Sequence, residues 1–270
     1  MIWNSPRDCT KRRFLPASSS TEGRLFLQIG AGAGNLDARN LDGFTEFVRR
    51  QQLTANDAVV LVEPNPANVD LLQEYWRSHA NVLVVPVAVL PSGASESELI
   101  LWYALEDGPN YQCASYSKEH VTAHFPQGTI QSIRVPTMTF DELMCSIGGD
   151  HSPHLIAIDV ESLDADLIMS IDWHAYPFRA ISFESLHLGE EESLIQEHLR
   201  QYGYQSAGVG LDLNGLDSLV IKSASALVRI RAHIWELERV ANLRYVSGNP
   251  WKAFLHLVDH WRRRRLAKRG

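Results

Sequence analysis

The sequence predicts an α/β fold, a mostly parallel sheet covered by helices on both faces. Short runs rich in Val, Ile and Leu alternate with amphipathic stretches of helical length from Arg24 onward. That alternation is the pattern of βαβ units whose strands are buried on both sides. A glycine-dense turn, GAGAG at 30–34, directly follows the first run. The chain has 270 residues, 45% of them apolar and 21% charged, which suits one sizeable domain with an appendage. Composition divides it into a flexible leader over 1–22, the α/β domain over 23–225 and a basic helical extension over 226–270.

RLFLQIG (24–30), DAVVLVE (57–63) and NVLVVPVAV (81–89) read as buried strands, with helices over 41–53 and 65–79 between them. SELILWYAL (97–105) and IQSIRVPTM (130–138) read as further strands. The stretch between them, 106–128, reads as a long irregular connection of the kind used for lids and binding loops. Thr139 caps a helix over 139–147, HLIAID (154–159) is a central strand, and 164–171 is helical. FRAISFE (178–184) is a strand, 190–203 a helix ended by Gly203, and 215–223 closes the sheet. In the extension, Leu227, Ile230, Ile234, Leu237 and Ala241 form an apolar helical stripe. Its helices pack on the domain or on a second copy, so a homodimer is one expected assembly.

The net charge of −7 hides an asymmetry, because Ala226–Gly270 carries 11 Lys/Arg against 3 Asp/Glu. The acidic body argues against a nucleic-acid-binding core. The tail WRRRRLAKRG either meets a polyanion or acidic partner, or solubilises a helix end whose arginines face the helix dipole. No apolar run reaches membrane-spanning length, and no apolar segment of a secretory signal follows the first basic residues. Cys9, Cys113 and Cys145 lie far apart with no CxxC, which points to a reducing, cytoplasmic setting and argues against a cysteine zinc site.

The glycine turn carries the chemistry. Gly30, Gly32 and Gly34 let the backbone turn sharply and meet a ligand without Cβ interference. Glu63 ends the neighbouring strand, at the carboxyl edge where open α/β sheets bind ligands, and a carboxylate there accepts from both hydroxyls of a ribose. A tight turn beside a surface glutamate is the plainer alternative. The dinucleotide fingerprint asks for glycine at the sixth position, where this chain has Asn35, and no phosphate-loop lysine follows. S-adenosylmethionine, which has no phosphate, suits the turn best.

FLQIGAGAGNLD, VVLVEPNP (59–66), NVLVVPVAV, VPTMTFDEL (135–143), HLIAIDVESLDADLIMSI (154–171) and ISFES (181–185) together resemble the ordered motifs of the FkbM-type methyltransferases. The resemblance spans about Leu25 to Ser223 and implies a Rossmann-like, seven-stranded, mostly parallel sheet that uses S-adenosylmethionine. Three positions depart from the family pattern: Gln28 stands where an acid is common, Ala157 replaces a lysine and Ser162 a glycine. By resemblance, Gly30, Ala31, Gly32 and Gly34 surround the methionine end of the cofactor, Glu63 takes the ribose hydroxyls and Asn65 assists beside the adenosine. Val87 and Ala88 border the adenine. Asp159 ends the central strand where the methyl group meets its acceptor, touching cofactor and acceptor alike.

Strand alternation puts Glu161 on the face of Asp159, where it either joins the site or caps the following helix. For a hydroxyl acceptor a base is needed. His120, which shares a helical face with His124, and His187, after the next strand, are candidates, with polar surface roles as the alternative. Trp102, Tyr103, Tyr111 and Tyr116 either line an acceptor pocket or pack a lid. The resulting expectation is O-methylation of a hydroxyl on a small molecule or sugar. A nicotinamide-dependent oxidoreductase and a non-catalytic scaffold of the same fold are the competitors.

Overall fold

The computed structural model describes residues 23–35, 42–108, 111, 113–148, 151–160, 162–185, 188–211 and 217–222. The leader over 1–22 and the extension from 226 lie outside the described residues, as do Glu161 and His187.

Strand β1 (Gly23–Ile29) is followed by α1 (Gly43–Arg50), β2 (Ala58–Val62), α2 (Pro66–Trp76) and β3 (Val82–Val85). These strands pair in parallel. Asp42 caps α1 by accepting the Thr45 N–H at 2.7 Å, and Pro66 opens α2 where a missing N–H costs nothing. The run 81–89 is not one strand. Pro86 interrupts it, and the continuation β4 (Ala88–Leu90) leaves for a second sheet.

That second sheet has the order β4–β6–β5, where β5 is Glu98–Ala104 and β6 is Ile130–Thr139. The connection between β5 and β6 is more ordered than its composition suggests. It holds α3 (Lys118–His124) and a bridge from Trp102 to Ser115. Only Val121 of α3 is buried, so no apolar stripe announces the helix in the sequence.

The rest of the domain is α4 (Phe140–Ile147), β7 (His151–Ile158), α5 (Asp164–Ser170), β8 (Ala180–Glu184), α6 (Glu191–Gln201), β9 (Gln205–Val209) and β10 (Asp217–Ile221). Thr139 and Glu142 form a capping box on α4, in agreement with the predicted cap. The seven-stranded sheet runs β3–β2–β1–β7–β8–β10–β9, parallel except for β10. β9 escapes sequence reading because its residues 205–208 are mostly exposed and show no apolar alternation.

Each face of the sheet has its own core. On one, Ile156, Ile158 and Phe183 pack with Leu143, Leu167 and Leu199 from α4, α5 and α6. On the other, Phe26 and Leu61 pack with Phe44, Phe47, Leu72 and Trp76 from α1 and α2. Burial of each such side chain contributes about 1.5–3 kcal/mol. Strand order reverses between β1 and β7, and the carboxyl ends flanking that reversal are where a doubly wound sheet leaves a crevice.

Cys145 of α4 is disulfide-bonded and Cys113 is a thiol. No described helix is long and apolar enough to cross a membrane.

Candidate active site

A cavity of about 420 Å³ opens at the carboxyl ends of β1, β2 and β7. Gly30, Ala31, Gly32 and Gly34 line it from the turn after β1, and Glu63, Val87, Ala88 and Asp159 line it from the neighbouring chain ends. Tertiary structure thus gathers residues that span most of the domain in sequence.

The turn is shaped by left-handed backbone. Gly30 has φ +78°, and a Cβ there would collide with the Asp159 carbonyl oxygen. Close approach of β1 and β7 therefore requires glycine. Gly32 has φ +53°, but a Cβ at this position would meet nothing within 4 Å and would stand in open cavity.

The amides of the turn are engaged internally. Gly30 and Ala31 both donate to the Val62 carbonyl, at 2.9 and 3.0 Å, and Gly34 donates to the Ala31 carbonyl at 3.3 Å. Gly32 donates to Glu63 Oε2 at 2.8 Å. A pyrophosphate site needs such N–H groups aimed at the ligand from a helix N-terminus. Among the described residues, the next helix, α1, begins at Gly43.

Glu63 is 5% exposed. Its Oε1 accepts the Asn65 N–H at 2.8 Å and Asn68 Nδ2 at 3.5 Å. Burial pushes its carboxyl up to about 7 against these hydrogen bonds, which favour the charge. Asn65 is not among the cavity-lining residues. Its side chain caps α2 by accepting the Ala67 N–H at 3.1 Å, while its backbone steadies Glu63.

Two acceptor atoms in the cavity wall lack partners. Gln28 Oε1 and Asn68 Oδ1 are buried and make no hydrogen bond, although both residues line the cavity. Gln28 Nε2 donates to Asp42 Oδ1 at 3.2 Å, which fixes the amide so that its oxygen is the orphan. Asp42 also lines the cavity, and burial raises its carboxyl above the ordinary range. Asp42, the α1 cap, thus places a carboxylate beside Gln28 in the cavity lining. A buried acceptor without a donor costs about 1–3 kcal/mol. The Glu63 and Asp42 carboxylates in the lining fit the hydroxyl and amine donors of S-adenosylmethionine, and the open space beside Gly32 fits its close approach.

Sequence reading passed over Asp42 and Asn68. Asp42 had a readable signal, an aspartate opening a helical run. Asn68 had none, because only the fold brings it to Glu63.

The acceptor candidates divide. Tyr111 and Tyr116 line the cavity. Trp102 and Tyr103 do not, and Trp102 instead stacks under the Lys118 ammonium, 4.9 Å from the ring centre. His120 is also outside the lining and stacks on His124 with ring centres 4.5 Å apart. Glu184 and Asp217, not singled out in the sequence, border the cavity from β8 and β10.

Residues 28–206 match the Methyltransferase FkbM domain. The comparison with curated proteins finds no match. Among solved structures, the precorrin-6y C5,15-methyltransferase of Geobacter metallireducens GS-15 is similar at 14% identity, with a TM-score of 0.35. The alignment covers 68% of this chain and 65% of that one, so this chain spans about two thirds of that protein's length, and the likeness carries no argument about chemistry. The domain match covers well over half of the sequence and runs from the end of β1 into the start of β9. On that ground the chain belongs to the FkbM methyltransferase family.

Proposed function

We propose that this chain uses S-adenosylmethionine to methylate a hydroxyl of a small molecule or sugar. The observation that carries the cofactor reading is the Gly32 N–H held on Glu63 Oε2 at 2.8 Å. The turn amide is spent on a carboxylate rather than offered to a phosphate, and the carboxylate is left facing the cavity as an acceptor. This arrangement and the family together set the oxidoreductase alternative aside.

S-adenosylmethionine, when bound, supplies a methyl carbon activated by a cationic sulfur. Glu63 accepts from the ribose hydroxyls with lone pairs that Gly32 and Asn65 do not use. Gln28 Oε1 and the Asp42 carboxylate accept from the ammonium group, and Val87 and Ala88 border the adenine. Gly30, Ala31 and Gly34 fix the path of the turn, and Asn65 holds Glu63 in place through its N–H. Asp159, directly after β7 in the cavity lining, would align the acceptor hydroxyl and hold its proton. Glu161 and His187, outside the described residues, are further catalytic candidates. His120, outside the cavity lining, would act on the acceptor only through its neighbours.

Calorimetric titration of S-adenosylhomocysteine and NAD into the wild type and Glu63→Ala tests the reading. Binding of the first ligand, weakened at least about tenfold by the substitution, supports it. Binding of NAD instead, or of neither, sinks it. A screen of hydroxyl acceptors then tests the O-methylation.

A further inference from the structure

Ser162 lies on the turn between β7 and α5 with φ +86°, a left-handed conformation that glycine adopts freely and serine does not. The turn is held from below by Asp164, a buried carboxylate whose Oδ1 accepts the Val160 N–H at 3.1 Å. From above it meets the segment 113–124. Tyr116 donates its hydroxyl to the Ser162 carbonyl at 3.2 Å, and Ser162 Oγ lies 3.3 Å from His120 Nδ1.

That segment is anchored at its other side. Trp102 and Ser115 exchange both backbone hydrogen bonds, at 2.7 and 3.0 Å, and the Lys118 ammonium rests over the Trp102 ring. Ala114, Ser115 and Tyr116 line the cavity, as do Asp159, Val160 and Leu163 of the facing turn. Ser162 itself is not part of the lining. Its contacts therefore bear on how the two walls meet, not on the ligand directly.

We propose that Ser162 is a positioning residue that latches the α3 segment over the acceptor side of the cavity. From its strained backbone it offers two atoms to the segment, the carbonyl to Tyr116 and Oγ to His120. Glycine would relieve the strain and keep the first contact, but would lose the second. Strain retained at a site is informative when a specific contact depends on it. Here the contact is the one that ties His120, and with it Tyr116, to the Asp159 turn. The inference rests on the methyl-transfer reading for its acceptor, though the latch itself does not.

Hydrogen exchange on the full chain tests it, with Ser162→Ala, Ser162→Gly and Tyr116→Phe beside the wild type. Each variant is expected to speed amide exchange over 113–124 about fivefold or more, with β1 and β2 unchanged. Ser162→Gly is expected to do so while its Tm holds or rises. A serine with a purely structural role would not move these two readouts in opposite directions. Unchanged exchange over 113–124 in Ser162→Ala, or faster exchange spread equally through β1 and β2, overturns the latch. S-adenosylhomocysteine affinity, measured on the same samples, judges the cofactor reading separately. Its loss from the wild type would overturn that reading and leave the exchange result to decide the latch.

Discussion

Glu63 Oε2 holds the Gly32 N–H at 2.8 Å, so the second strand's terminal carboxylate and the first strand's glycine turn form one unit. The same carboxylate holds the start of α2 through the Asn65 N–H. Its charge therefore sets both the shape of the turn and the affinity for donors in the cavity.

Burial raises Glu63 to about 7 from an ordinary 4.5. On the proposed reading, ribose hydroxyls donate to the ionised form, so cofactor binding favours loss of the proton. S-adenosylhomocysteine affinity is expected to rise with pH up to about 7 and then level off, weakening by about tenfold per unit below that point. Calorimetry in buffers of different ionisation enthalpy should show proton release below pH 7. Glu63→Gln should flatten both dependences, and an unchanged profile in that variant would exclude Glu63 as the titrating group.

In the ligand-free protein the same shift acts on stability. The native state binds a proton that the unfolded state has already lost, so the contribution of Glu63 is fully present below about 4.5 and lost as pH rises through about 7. Asp164, raised to about 6 mainly by burial, acts in the same direction. Denaturation of the wild type and Glu63→Gln across pH 4–8 should show the variant gaining relative stability toward the upper end.

Gly30 and Gly32 should separate in their effects. Gly30→Ala forces a Cβ onto the Asp159 carbonyl in left-handed backbone and is expected to cost more than 3 kcal/mol, visible as a large fall in Tm. Gly32→Ala meets no neighbour and should cost only about 1–2 kcal/mol, yet its methyl enters the cavity and should weaken S-adenosylhomocysteine strongly. Equal losses of stability would contradict the assigned roles.

On the proposed reading, Gln28 and Asp42 accept from the ammonium group of the cofactor. Gln28→Leu and Asp42→Asn should each weaken S-adenosylhomocysteine by about tenfold. Methylthioadenosine, which lacks the amino-acid portion, should bind both variants like the wild type. A matching loss for both ligands would mean that the substitutions disturb the turn rather than the amine contact.

Away from the cavity, Arg24 reaches Asp57 with Nη2 at 2.7 Å and Nε at 3.0 Å, and its N–H donates to the same carboxylate at 2.8 Å. Burial pushes Asp57 up, but these donors and the Thr54 N–H outweigh it and hold the carboxyl well below the usual range. A depressed carboxyl stabilises above its unfolded value and loses that contribution as pH falls through the folded one. Asp57→Asn should cost about 2 kcal/mol at neutral pH and remove part of the acid unfolding, as followed by circular dichroism.

The sequence by itself determined the layering. Continuous apolar runs such as AVVLV have no polar face, so they had to be buried on both sides, and the helices between them supply the cover. It also determined the glycine turn and Glu63, because left-handed backbone and a strand-end carboxylate leave local traces. Edges and lids left none. β9 is exposed, α3 buries one residue, and the division of 81–89 at Pro86 depends on which sheet each half joins. Only tertiary structure decided that Asp42 meets Gln28, that Asn68 reaches Glu63, and that Ser162 meets His120. These are contacts between segments distant in the chain or separated by turns, and their distances are set by strand order and helix packing, which no local pattern encodes.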